Sequence, residues 1–153
     1  MNNYRGIHRK YKEVFLIWEK TIYNVNVAPE DLFIWRCQAF ELLCTLESTI
    51  YERAKKKTDK KQQEPNLKNF LSVSSNIYSI LPNLHEQYYA DVKLVRDKLT
   101  HHNPRKSITD DQKKNSYTLI KYFWISVLIQ LLGITGISRS LCLTAHSKQI
   151  NTQ

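Results

Sequence analysis

Residues 29–50 read PEDLFIWRCQAFELLCTLESTI, the strongest periodic stretch of the chain. Pro29 suits the first turn of a helix, and Glu30 and Asp31 sit near its positive end. Leu32, Trp35, Ala39, Leu42, Leu46 and Ile50 then recur at steps of three and four. Weaker copies of the same pattern lie on both sides. Tyr11, Val14, Phe15, Trp18 and Ile22 predict a helix from about Tyr11 to Ile22, interrupted at Asn24 and Asn26. Leu67, Phe70, Leu71, Ser74, Tyr78 and Leu81 predict another, stopped by Pro82. Tyr88, Val92, Val95 and Leu99 predict a fourth, stopped before Pro104. Thr109 is an N-cap with Asp110 and Asp111 in the first turn and Gln112 where a capping box wants it. That last helix is expected to run to about Leu132, with Gly133 as a C-cap.

Composition agrees with a helical reading. The chain has 153 residues, room for one domain of ordinary size. Apolar residues at 42% and charged residues at 24% exclude wholesale disorder. Only 3 Gly and 4 Pro leave too few turn formers for a β-sandwich or barrel. Gly-rich phosphate loops are absent from the sequence. The fold class expected is all-α, a bundle of about five helices over residues 11–138. Residues 1–10 form an N-terminal extension, and 139–153 a flexible tail. Residues 122–138, YFWISVLIQLLGITGIS, are 17 positions without a charge. That length touches the lower edge of a membrane span, but the centre of a bundle also requires a helix apolar on most sides. The bundle reading is preferred, and no membrane contact is expected.

The net charge is +9, from 23 Lys and Arg against 14 Asp and Glu. Such an excess favours a polyanionic partner, nucleic acid or an anionic membrane face; an inert basic surface is the plainer alternative. Arg53, Lys55, Lys56, Lys57, Lys60 and Lys61 form a basic run read as a loop closed by Pro65. It could touch phosphates or simply be solvated. Cys37, Cys44 and Cys142 form no C-x-x-C pair, which argues against a disulfide framework and against zinc. A reducing cytoplasm fits, and MNNYRGIHRKYKEVF has no apolar core of signal-peptide length.

The candidate chemistry lies in LVRDKLTHHNPR, residues 94–105. Four residues separate Arg96 from His101 near the end of an amphipathic helix. Five steps turn a helix by about 140° and climb about 7.5 Å, so the two Cβ atoms are not stacked. A long arginine side chain and a helix that must loosen before Pro104 could still bring guanidinium and imidazole together. Histidine titrates near neutrality and can serve as base or acid. A guanidinium matches the oxygens of a phosphorane. Together they suit attack of a ribose 2′-hydroxyl on the adjacent phosphorus, with no metal or cofactor. Spacing alone is weak, since about 0.7 Arg–His pairs with four to six residues between them arise by chance in such a chain. Arg139 and His146 form such a pair in the tail. Two readings stay open: a nuclease pair, or an Arg96 ion pair with Asp91 or Asp97 while His101 and His102 end the helix.

LVRDKLTHHNP resembles the signature of HEPN domains, helical bundles built around an arginine, a polar residue and a histidine. FIWRCQAFELLCTLE, residues 33–47, resembles the second helix of ApeA-like HEPN domains, through Gln38, Ala39, Phe40 and Glu41. YFWISVLIQLLGI, residues 122–134, resembles their last helix, through Leu131, Leu132 and Gly133. The three motifs keep order and distance across about residues 12–135. The resemblance implies an anti-phage, abortive-infection ribonuclease acting on RNA, with tRNA a possible target. It implies a homodimer in which two Arg–His helix ends share a cleft. Arg96 and His101 match the motif arginine and histidine, and Asp97 stands where asparagine is commonest. A carboxylate there would repel phosphate unless a cation pairs with it. Glu41 matches a polar position that points toward the same cleft; a bundle salt bridge with Lys98 or Arg96 is the other reading. His102 replaces a glycine or small residue and is a secondary candidate. Lys98, Arg105 and Lys106 are the expected RNA contacts. Asn103 replaces the tyrosine of toxins paired with a nucleotidyltransferase antitoxin, which speaks against that partnership. ApeA proteins carry a large region before this domain that is lacking here, so three expectations stay open: a truncated relative, a fragment, or a subunit whose sensor or regulatory partner is another chain.

The remaining constellations are weaker. His8, Arg9 and Lys10 read as a solvated basic end. His85–Glu86 has no second ligand at metal spacing. Tyr88, Tyr89, Tyr122, Phe123 and Trp124 could stack bases, but their helical spacing suits a core or a dimer surface. Two other functions fit the same residues: a non-catalytic RNA- or nucleotide-binding module, and a helical protein-interaction domain.

Overall fold

A computed structural model describes residues 6, 9–24, 26–58, 64–101 and 107–131. Among them the architecture is all-α, with six helices and no strand. These are α1 (Lys12–Tyr23), α2 (Pro29–Leu46), α3 (Ser48–Lys56), α4 (Leu67–Tyr78), α5 (Glu86–His101) and α6 (Asp110–Leu131). Helix α2 is the hub: it packs against each of the other five. Helices α4, α5 and α6 also pack on one another, which closes the bundle.

The core is built on aromatic side chains from α1, α2, α5 and α6. Trp18 stacks on Trp124 with ring centroids 4.6 Å apart. Phe123 meets Phe40 and Tyr89 edge-on at 6.1 and 5.8 Å. Phe33 leans against Tyr117 at 4.7 Å. Offset and edge-on contacts of this kind add to the area buried. Cys37 and Cys44 are buried and unpaired, and Cys44 Sγ lies 3.7 Å from Ser74 Oγ.

The sixth helix comes from a break the periodicity hides. At Glu47 the backbone turns extended, and its N–H still donates to Leu43 O at 3.1 Å. One residue thus closes α2 and opens α3, and its carboxylate accepts from Lys10 Nζ at 2.6 Å. The expected basic loop is instead helical through Lys56, with Arg53, Lys55 and Lys56 in the last turn of α3. Cations there face the negative end of the helix.

The buried stripe of α2 also differs from the expected one. Phe33, Cys37, Ala39, Phe40, Leu43 and Cys44 are inside, while Leu32, Trp35 and Leu42 are half-buried and Leu46 is exposed. A helix ringed by five neighbours has apolar residues on most sides, so several stripes fit its period. In α1, Tyr11 and Val14 are buried as expected, but Ile22 is 54% exposed. In α5, Tyr89 rather than Tyr88 faces the core.

Capping determines the ends of the later helices. Asn66 and Asn69 exchange side-chain and backbone hydrogen bonds of 3.0 and 3.2 Å to start α4. Helix α4 ends at Tyr78, short of Leu81 and Pro82, because Ser79 takes a left-handed conformation with φ 53°. The expected box at α6 is present: Gln112 N donates to Thr109 Oγ1 at 3.1 Å, and Thr109 N donates to Gln112 Oε1 at 3.0 Å. Gln112 Nε2 also donates to Asp91 Oδ1 at 3.2 Å, tying α6 to α5. Gly133 and the tail after Ser138 lie outside the described residues. Among the described residues no helix is long and apolar enough to cross a membrane.

Candidate active site

Helix α5 carries the Arg96–His101 pair, and its turn decides where each side chain goes. Val92 and Val95 are fully buried and anchor the inner face. Four steps beyond Val92 leave Arg96 about 40° off that inward direction, at the flank nearest α2. Nine steps leave His101 about 180° from it. His101 is the last residue of α5 and is exposed. It makes no hydrogen bond or ion pair with Arg96. The two side chains therefore do not converge within one chain.

Arg96 is gathered with two carboxylates instead. Its Nη2 donates to Glu41 Oε1 on α2 at 3.0 Å. Its Nε lies 3.1 Å from Asp97 Oδ1, an ion contact without hydrogen-bond alignment. Lys93 Nζ pairs with Asp97 Oδ2 one turn earlier on α5. The cluster is two cations and two anions, each side chain between 22% and 32% exposed. The ion-pair alternatives for Arg96 and for Glu41 thus meet in one arrangement: Arg96 bridges Asp97 and Glu41, while Asp91 pairs with Gln87 and Gln112 instead. The cation that a carboxylate at position 97 requires is present, from Arg96 and from Lys93.

Electrostatics follow from half-burial. Burial pushes the Glu41 carboxyl above its ordinary value; Asp97 adds to this, while Arg96 and Lys93 pull the other way. Desolvation therefore outweighs the guanidinium at this distance. Cys37, one turn before Glu41, is buried with its thiol pushed well above the usual range, so it is no thiolate nucleophile.

Lys98 lies half-buried in the last turn of α5. His102, Arg105 and Lys106 fall outside the described residues. His85 is exposed at the start of α5, where its Nδ1 accepts from Gln87 N at 3.2 Å. Among the described residues no three His, Cys, Asp or Glu side chains are grouped to hold a metal ion. Sequence reasoning missed Lys93, although its spacing of four from Asp97 is the signal that finds such pairs. Compared with family models, curated proteins and solved structures, the chain matches none of them.

Proposed function

We propose that this chain is a metal-independent endoribonuclease of the HEPN type, acting on RNA in anti-phage defence. The observation that carries the reading is the Arg96 guanidinium. Glu41 and Asp97 hold it through Nη2 and Nε, while its Nη1 makes no hydrogen bond to a described residue. An arginine offers five donors in a fixed fork. Two carboxylates steady one edge of it and leave the other for a phosphate oxygen. In this role Arg96 stabilises the phosphorane, and Asp97 and Glu41 position Arg96.

His101 supplies the proton chemistry from the exposed end of the same helix. A base takes the 2′-hydroxyl proton, O2′ attacks phosphorus, and the P–O5′ bond breaks as an acid protonates O5′. The products are a 2′,3′-cyclic phosphate and a 5′-hydroxyl. One histidine cannot be base and acid in the same step. The 140° between Arg96 and His101 also leaves a single chain incomplete. A homodimer answers both: each phosphate meets Arg96 of one copy and His101 of the other. Such an enzyme works in the cytoplasm, where its RNA is.

Purified protein cuts single-stranded RNA in excess EDTA and leaves cyclic phosphate ends. His101→Ala abolishes cutting and melts like the parent, because that side chain is exposed. Cutting that persists in this variant removes His101 from the mechanism. Mixing Arg96→Ala with His101→Ala restores part of the activity if the site is shared between copies. The engagement of Arg96 by two carboxylates favours a second reading, in which the cluster is a clasp between α2 and α5 and the protein binds RNA without cutting it. Salt-dependent RNA binding with no cleavage product selects that reading.

A further inference from the structure

The basic end of α3 takes no part in the Arg96 cluster, yet it borders a cavity of its own. This cavity, about 270 Å³, lies between α3 and α4 and is lined by Arg53, Lys56, Lys57, Val73 and Asn76. Val73 is buried and gives the cavity an apolar floor. Arg53, Lys56 and Lys57 are exposed and form no ion pair with a described carboxylate. Lys57 Nζ is steadied by Ser72 Oγ at 3.1 Å, so the Lys57 side chain is held beside the cavity in advance. Asn76 adds an amide, both donor and acceptor.

Three cations gathered round one hollow repel one another unless an anion comes between them. A flat anionic surface would meet charged tips but leave the hollow empty. A single nucleotide unit uses every part: phosphate at the cationic rim, sugar and base over Val73 and the aliphatic stems, a base edge at Asn76. The volume falls just under the roughly 300 Å³ of small ligand pockets, so one unit fits rather than several.

We infer that the α3–α4 cavity bordered by Arg53, Lys56, Lys57, Val73 and Asn76 is an RNA-binding exosite that holds one nucleotide of a single strand away from the cleavage site. It rests on the RNA-directed reading above and adds a second place where the strand is gripped. The test uses the 153-residue chain carrying His101→Ala, which removes cutting, with a labelled single-stranded RNA of about 20 nucleotides. Binding is followed by fluorescence anisotropy across a salt series, with and without Arg53→Gln and Lys56→Gln together. Losing two phosphate contacts lowers the slope of log K against log salt by about 1.4 and the affinity by about tenfold. Unchanged slope and affinity overturn the exosite. So does a loss seen with anionic lipid vesicles or with inorganic phosphate, but not with RNA. Cleavage of a dinucleotide by the unaltered protein tests the nuclease reading by itself, independently of the binding measurement.

Discussion

Glu41 Oε1 and Arg96 Nη2 meet at 3.0 Å across 55 positions of sequence, yet the Glu41 carboxyl stays above its ordinary value. The pair joins α2 to α5, but burial takes more from the carboxylate than the guanidinium returns. Its two halves are therefore unequal, and removing them has unequal results.

Glu41→Gln keeps an acceptor for Arg96 and discards the half-buried negative charge. Its stability at pH 7 stays within about 0.5 kcal/mol of the parent. Arg96→Ala leaves Glu41 and Asp97 with Lys93 as their remaining cation and costs about 1–2 kcal/mol, reduced from the buried limit by partial exposure. Urea unfolding of both variants checks the order. A larger loss in Glu41→Gln would reverse the argument.

The raised Glu41 value also fixes a sign in pH. The folded state holds this proton more tightly than the unfolded state. Stability therefore falls as pH rises from the ordinary carboxylate range, about 4.3, to the raised folded value. Below that window the folded-state cost is absent; above it the cost is complete. Plotted against Glu41→Gln, the parent loses relative stability across the window and runs parallel on either side. Thermal melts at several pH values read the difference, and a parent that gains on Glu41→Gln as pH rises contradicts it.

Thr109→Ala removes the side-chain acceptor for Gln112 N and half of the box at the start of α6. The expected cost is about 1 kcal/mol. Gln112→Ala costs more, because Gln112 also holds Asp91 on α5 at 3.2 Å. Equal losses in the two variants would show that the tie to α5 contributes nothing.

Phe123→Ala empties the centre of the bundle, where that ring meets Phe40 and Tyr89 edge-on. Phe123 is fully buried, so the loss is about 3–5 kcal/mol, enough to unfold a marginal domain. A circular dichroism melt within a few degrees of the parent would place the core elsewhere.

The candidate site was legible only in part. Arg96, Asp97 and their ion contact are neighbours on one helix, and spacing alone raised that pairing. Glu41 was picked out only by the family resemblance, and Lys98 was as good a partner as Arg96 until α2 and α5 were packed. The distance between Arg96 and His101 was legible as an angle. Whether a loosened helix end overcame it was not, and α5 stays helical to His101.

The amino-acid order by itself determined the all-α class, five of the helix starts and the cap at Thr109. Those features depend on contacts within about four residues, which any chain carries in its own local sequence. Tertiary packing decided which stripe of α2 faces inward, where Glu47 splits a periodic run into α2 and α3, and which cation Glu41 meets. A helix apolar on most sides has no single inward face until its neighbours claim one, and an ion pair between distant helices exists only once their crossing brings the two charges together.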